Sequence, residues 1–224
     1  VRRDVVGRTM LARVVGRARR APGIASVGVA TAVDPREDAI AEACAELDVA
    51  VARGSEGDVL DRYYRAALHH EADPLVRITS DCPLLDPDVI DEVVDAFREA
   101  NPDYASNVTD RPFPLGLDVE VIRQDALARA WREATKPYER AHVTPYLYQH
   151  PELFRLVAVK ADRDYSGLRW TVDTAEDLQF VRTVYAKLGS DGRFGWRDVL
   201  DLLRREPKIA DLNRHVRQKS LEEG

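Results

Sequence analysis

Strand-length apolar runs alternate with amphipathic stretches of helical period along nearly the whole chain. Met10, Leu11, Val14, Val15 and Ala18 mark one face of an opening helix. The run "IASVGVAT" (24–31) reads as a strand and ends at a helix start, Asp34–Pro35; Ala39, Ile40, Ala43 and Leu47 carry the helix that follows. "VAVA" (49–52) is the next strand, Gly54–Ser55 breaks it, and a helix is predicted from about Asp58 to Glu71. Strand 75–79, helix 86–100 and a short extended piece at 103–108 come next. This repetition is the signature of βαβ units, whose crossovers place helices on the faces of a parallel sheet.

The later chain varies the theme. "LDVEVI" (117–122) alternates as an antiparallel or edge strand would, and "LFRLVAVKA" (153–161) is a further strand. Ala175–Leu188 and Trp196–Arg205 read as helices, while the charged tail after Pro207 is weakly periodic. The expected fold class is therefore α/β: one domain over residues 1–206 with a mostly parallel, Rossmann-like sheet and a small antiparallel portion, followed by an arm at 207–224. A length of 224 residues supports one such domain with a sizeable core.

A net charge of -6 argues against general affinity for nucleic acid or an anionic membrane. No apolar run approaches the roughly 18 residues that a membrane span needs. Cys44 and Cys82 show no metal-ligand spacing, and two thiols in a chain of this size suit a reducing, cytoplasmic setting. The histidines also lack metal spacing, and adjacent His69 and His70 are expected to be solvated.

The functional signal lies where strands run out. In "RITSDCPLLDP" (77–87) Asp81 follows a hydrophobic strand, and in "LRWTVDTAEDLQFV" (168–181) Asp173 does the same. Ligands of open parallel sheets bind beyond the carboxyl ends of the strands, and an acid there can face a cleft. Neighbouring acids have plainer roles: Asp86 before Pro87 is a helix N-cap, and Thr174 with Asp177 is close to a capping box. Two strand-end carboxylates can hold a hard divalent cation, since magnesium takes one or two carboxylates plus phosphates.

Three other stretches carry candidate groups. Asp118 and Glu120 in "GLDVEVI" share one strand face, which is either solvated or part of a site. Arg140 and His142 in "ERAHVTPYLYQHPELF" (139–154) can bind an anion, or Arg140 can pair with Glu139 or Glu133 on the surface. In "ARGSEGDVLDRYYRAA" (52–67), Gly54 would let the backbone approach a ligand closely while Arg53 supplies charge. Arg169 beside Trp170 can equally be an exposed arginine on a packed strand.

Taken in order, "RGSEGDVLDRYY", "RITSDCPLLDP", "NVTDRPFPLGLDVEVI", "ERAHVTPYLYQHPELF" and "LRWTVDTAEDL" resemble the cytidylyltransferases of spore-coat polysaccharide biosynthesis type. These are relatives of the acylneuraminate and 3-deoxy-manno-octulosonate cytidylyltransferases, and the resemblance runs from about Gly7 to Leu188. It implies the nucleotide-diphospho-sugar transferase fold. It also implies transfer of CMP from CTP to a small acidic acceptor, with magnesium as cofactor and pyrophosphate as leaving group. By the same resemblance Asp81 and Asp173 would be the catalytic magnesium ligands. Arg53, Ser55 and Thr79 would lie at the nucleotide, and Asp118, Glu120, Arg140 and His142 on the acceptor side.

The chain departs from the family at its start, where a strand and a glycine-rich phosphate loop are expected before Val1, and at Ser80, where many relatives carry glycine. A glycosyltransferase with a nucleotide-sugar donor and a catalytically inactive nucleotide-binding homologue are the alternatives. A homodimer is expected from the three tyrosines and three prolines of residues 136–160, since aromatic-rich surface segments often form interfaces.

Overall fold

A computed structural model of the chain describes residues 1–218. Its elements in order are α1 (Met10–Ala18), β1 (Gly28–Ala32), α2 (Asp38–Glu46), β2 (Ala50–Gly54), α3 (Val59–His69), β3 (Leu75–Arg77) and α4 (Pro87–Ala100). They continue with β4 (Tyr104–Ser106), β5 (Glu120–Ile122), α5 (Gln124–Glu133), α6 (Pro137–His142), α7 (Pro145–Tyr148) and β6 (Leu156–Ala158). α8 (Ala175–Leu188) and α9 (Trp196–Arg205) close the series, with 3-10 turns at Pro35–Glu37 and Pro207–Leu212.

β1 and β2 pair in parallel, with Gly28 opposite Ala50 and Ala32 opposite Gly54. The remaining strands form a sheet in the order β3-β5-β4-β6. β5 runs antiparallel to both β3 and β4, whereas β4 and β6 are parallel, so β3, β4 and β6 share a direction and β5 alone is reversed. The antiparallel reading of 117–122 holds and the edge reading does not. β5 lies between two strands, and all its residues are buried.

Period-two alternation sends successive residues to opposite faces. Val76, Ala105 and Val121 join the larger core, where α4 contributes Ile90, Val93 and Phe97 and α8 contributes Phe180, Val181 and Val184. Leu75, Tyr104 and Ile122 face the other way, toward Leu60 of α3, Leu127 of α5, Val143 and Leu147. A third cluster of Leu11, Val15, Ile40, Cys44 and Val49 closes α1 and α2 against the β1–β2 pair.

α5, α6 and α7 have no counterpart in the sequence reading. α5 buries only Ala126, Leu127 and Ala130, and alanine gives a weak apolar stripe. α6 and α7 each begin at a proline, Pro137 and Pro145, which suits the first turn of a helix although proline reads as a breaker. The tail beyond Pro207 is docked as far as it is described: Ile209 and Asn213 are 6% and 3% exposed. Residues 219–224 of the expected arm lie outside the described residues. His69 and His70 are exposed as expected, with their rings in edge contact at 4.9 Å.

Candidate functional site

β3 ends at Arg77, and residues 78–86 turn from it into α4. This turn is held firmly from below. Asp86 caps α4 through the Asp88 N–H at 2.9 Å and also accepts the Trp196 N–H at 2.5 Å. The Tyr185 hydroxyl donates to the Pro83 carbonyl at 2.7 Å, and Arg17 donates to the Leu85 carbonyl. Arg17 is 2% exposed, a cation from α1 embedded among carbonyls of the turn and of the α8–α9 connection. With so many anchors, Asp81 sits on a rigid platform.

The second acid comes to the same place. The Val172 N–H donates to the Asp81 carbonyl at 2.9 Å, and the Thr171 hydroxyl lies 3.4 Å from the same oxygen. Asp173 is the next residue, about half exposed at its side chain. Thr79, Cys82 and Thr171 gather beneath: the Thr79 hydroxyl is 3.2 Å from the Cys82 sulfur, and the Cys82 thiol is 3.4 Å from Asp81 Oδ1. Burial, reinforced by the negative charges of Asp81 and Asp118, pushes the Cys82 thiol well above its ordinary pKa.

The turn carrying Asp118 reaches this cluster by close backbone approach. The Trp170 N–H donates to the Leu115 carbonyl at 2.7 Å and the Leu115 N–H to the Leu168 carbonyl at 2.9 Å. Gly116 follows at φ +108°, where a Cβ would come within 2.6 Å of the Thr171 nitrogen. Only glycine fits there. Asp118 then pairs with Arg111 at 3.2 Å, and burial raises its carboxyl pKa against the opposing effect of Arg111.

Asp173 has a fixed support. Arg169 Nη2 reaches its Oδ2 at 2.5 Å, while Arg169 Nε and Nη2 fork onto Asp177 at 2.9 and 3.0 Å. Asp177 Oδ2 accepts the backbone N–H groups of Asp173 and Thr174, both at 3.1 Å. The capping box is present as expected, with Thr174 accepting the Asp177 N–H. Burial pushes the Asp177 carboxyl up, but hydrogen bonds from Arg169 and Asn213 outweigh it and hold the group below its ordinary value. Arg169 is not the exposed arginine allowed above, since its side chain is 9% accessible.

Glu120 departs furthest from expectation. It is 3% exposed, forms an ion pair with Arg77 and accepts the Tyr104 hydroxyl at 2.6 Å, so the solvated-face reading fails. Residues 77, 120 and 106 form one row across the sheet, at the carboxyl ends of β3 and β4. The buried cluster thus lies at the rim of the sheet, under the loops that carry Asp81 and Asp118.

Arg140 pairs with neither Glu139 nor Glu133. Its guanidinium grips Asp58, the N-cap of α3, at 2.5 to 3.1 Å and donates to the Trp131 carbonyl at 2.6 Å. Because α6 is a helix, Arg140 and His142 are turned about 200° apart around its axis. Arg53 is the penultimate residue of β2, donating to the carbonyls of Ala32 and Asp34 and pairing with Asp38 at 2.7 Å. The Ser55 hydroxyl accepts the Asp58 N–H at 3.0 Å, and the close neighbour of Gly54 is the Arg62 side chain.

The turns carrying Asp81 and Asp173 are therefore joined, with Thr79 and Asp118 close by, while Arg140 and Glu120 are held elsewhere by their own partners; the strand expected before Asp173 is only an isolated bridge at Arg169. Sequence reading missed Arg77, Arg169 and Asn213 as supports. Arg169 lies before α8, where helical spacing does not operate, so its pairing with Asp173 and Asp177 had no local signal. Among the described residues no three His, Cys, Asp or Glu side chains form a metal cage. Two carboxylates on adjoining turns are nevertheless the donor set magnesium takes when phosphates and waters complete its shell.

The family model described as cytidylyltransferase matches residues 1–199. An uncharacterised protein of Methanocaldococcus jannaschii is 37% identical over 221 residues, covering 96% of this chain and 88% of its own length. The spore coat polysaccharide biosynthesis protein SpsF of Bacillus subtilis is 29% identical over 185 residues, 81% of this chain and 76% of that one. The solved structure of a cytidylyltransferase from Leptospira borgpetersenii superposes with a TM-score of 0.87 at 28% identity, covering 95% of this chain and 88% of that one. The fold is the Rossmann-like one of the nucleotide-diphospho-sugar transferases.

Proposed function

This chain belongs to the cytidylyltransferase family, and on that premise we propose that it moves CMP from CTP to an acidic sugar or similar acidic acceptor, releasing pyrophosphate. The observation that supports the proposal is the Val172–Asp81 backbone bond, which joins the two turns that carry Asp81 and Asp173. A role in polysaccharide biosynthesis, named for the Bacillus relative, favours a sugar as acceptor.

Attack of an acceptor oxygen on the α-phosphorus needs alignment and charge neutralisation more than a covalent intermediate. Asp81 and Asp173 would hold magnesium, which when bound supplies polarisation of phosphoryl oxygens. Asp81 is fixed by the anchored turn, and Asp173 by Asp177 and Arg169. Arg53, Ser55 and Thr79 stand on the nucleotide side in this reading, and Asp118 and His142 on the acceptor side. We assign Glu120 and Arg140 to support of the site, since their polar atoms are committed to Arg77, Tyr104 and Asp58.

The test is pyrophosphate release with each nucleoside triphosphate and a panel of acidic sugars. Release with CTP that requires both magnesium and an acidic acceptor supports the proposal. No release with CTP, or glycosyl transfer from a nucleotide sugar, refutes it. A homodimer through residues 136–160 belongs to the same proposal; a monomeric mass by light scattering at micromolar concentration removes it.

A further inference from the structure

Asn213 stands far from α8 in sequence and is 3% exposed. Its amide nitrogen donates at once to the Arg169 carbonyl at 2.9 Å and to Asp177 Oδ1 at 2.8 Å. Farther along the same segment, the Gln218 side-chain oxygen accepts Arg169 Nη1 at 2.5 Å. Arg169 and Asp177 are the two groups that hold Asp173: one through its carboxylate, the other through its backbone N–H. From Asn213 the chain of contacts runs through buried and half-buried polar atoms to the acid, while the Gln218 contact lies at the surface.

We propose that the segment from Pro207 to Gln218 is a positioning clamp for Asp173, with Asn213 as its key residue. The proposal rests on the functional reading above, because it gives Asp173 a task in turnover. Asp177 is fully buried, so its orientation depends on donors that surround it. Removing the Asn213 amide leaves Oδ1 with Arg169 alone and frees the Arg169 carbonyl. The Asp173–Thr174 turn then loosens, while the apolar anchor of the arm, Ile209 against the main core, stays in place. Asn213 touches no reacting atom in this scheme and acts only through Asp177 and Arg169.

The test compares wild type with Asn213→Ala and with Asn213→Asp, which keeps the shape but turns a donor into an acceptor facing Asp177. Backbone amide exchange at Asp173 and Thr174 should quicken about 10- to 100-fold, the factor carried by losing one hydrogen bond to a charged group. Exchange at Ile90 and Val93 in α4 should not change. Pyrophosphate release should show kcat lowered about tenfold or more, with the KM for CTP within about twofold of wild type. Unchanged exchange at Asp173 and Thr174 overturns the proposal. So does equal quickening in α4, which marks a general loosening, and so does quickened exchange with normal kcat. A wild type that releases no pyrophosphate from CTP defeats the functional reading instead; the exchange measurement alone then keeps the clamp or removes it.

Discussion

The Asp81 carbonyl accepts the Val172 N–H at 2.9 Å, so two turns 91 residues apart in the chain are joined at the point where each carries an acid. Asp81 is not held there by its own carboxylate, whereas Asp173 is held in part by its own, through Arg169. Asp81 is placed by its backbone and by the anchored turn below it, which leaves the carboxylate available. Asp173 shares one oxygen with Arg169 and is otherwise open to solvent.

Asp81→Asn and Asp173→Asn should each lower turnover by about 10²- to 10³-fold, the range set by several kcal/mol of lost charge stabilisation. Thermal stability should move little, because the Asp173–Arg169 contact is half exposed on the acid side and such pairs are worth at most about 1 kcal/mol. Activity near wild type at limiting magnesium would remove that residue from the ligand set.

Glu120→Ala should be severely destabilising. It leaves Arg77 charged and largely buried without its partner, a loss of about 3–5 kcal/mol. Tyr104→Phe removes one bond to the same carboxylate and should cost about 1.5–3 kcal/mol. Urea denaturation measures both. A Glu120→Ala protein as stable as wild type, with a raised acceptor KM, would return Glu120 to the acceptor side.

The Asp58–Arg140 pair should appear as a coupling of about 0.5–3 kcal/mol in a double-mutant cycle on stability. Arg140→Lys keeps the charge but not the fork and should recover only part of it. The acceptor KM of Arg140→Ala should stay within about threefold of wild type. A rise of 10- to 150-fold, about 1.4–3 kcal/mol, would place Arg140 on the acceptor.

Asp177 should give stability a definite pH signature. Its folded pKa lies below the ordinary value of about 3.9, so the unfolded chain binds more protons between the two values. The contribution is complete above about pH 4 and is lost as pH falls through the folded pKa. The stability gap between wild type and Asp177→Asn should therefore narrow as pH is lowered from about 5 to 3. A gap that stays constant over that range would contradict the assignment.

Both thiols should be inert in the native protein. Burial raises the Cys44 pKa, and burial with the Asp81 and Asp118 charges raises that of Cys82 further, so little thiolate forms near neutral pH. Intact-mass measurement after iodoacetamide at about pH 8 should show no adduct on folded protein and two on unfolded protein. Stoichiometric labelling of the folded chain would show Cys82 more accessible than its 3% exposure indicates.

What the sequence by itself determined was the local physics. Periodicity placed α8 and α9 at their observed bounds, and an Asp–Pro–Asp run was enough to start α4, because caps and apolar stripes are short-range properties. The antiparallel character of β5 was legible in its alternation, and Asp81 and Asp173 stood out because each follows a hydrophobic run, although only Asp81 follows a strand in the fold. Tertiary structure alone decided which partner each charge found. Glu120 reads as one face of a half-polar strand, yet β3 and β4 flank it and bring Arg77 and Tyr104 to its carboxylate. Arg140 looked to its neighbours in sequence and met Asp58, which lies 82 residues away. Asn213 had no signal in its own surroundings, since its partners Arg169 and Asp177 are 44 and 36 residues upstream. A buried charge must be paired wherever the fold can supply a partner, and that supply depends on strand order and loop closure, which no local pattern encodes.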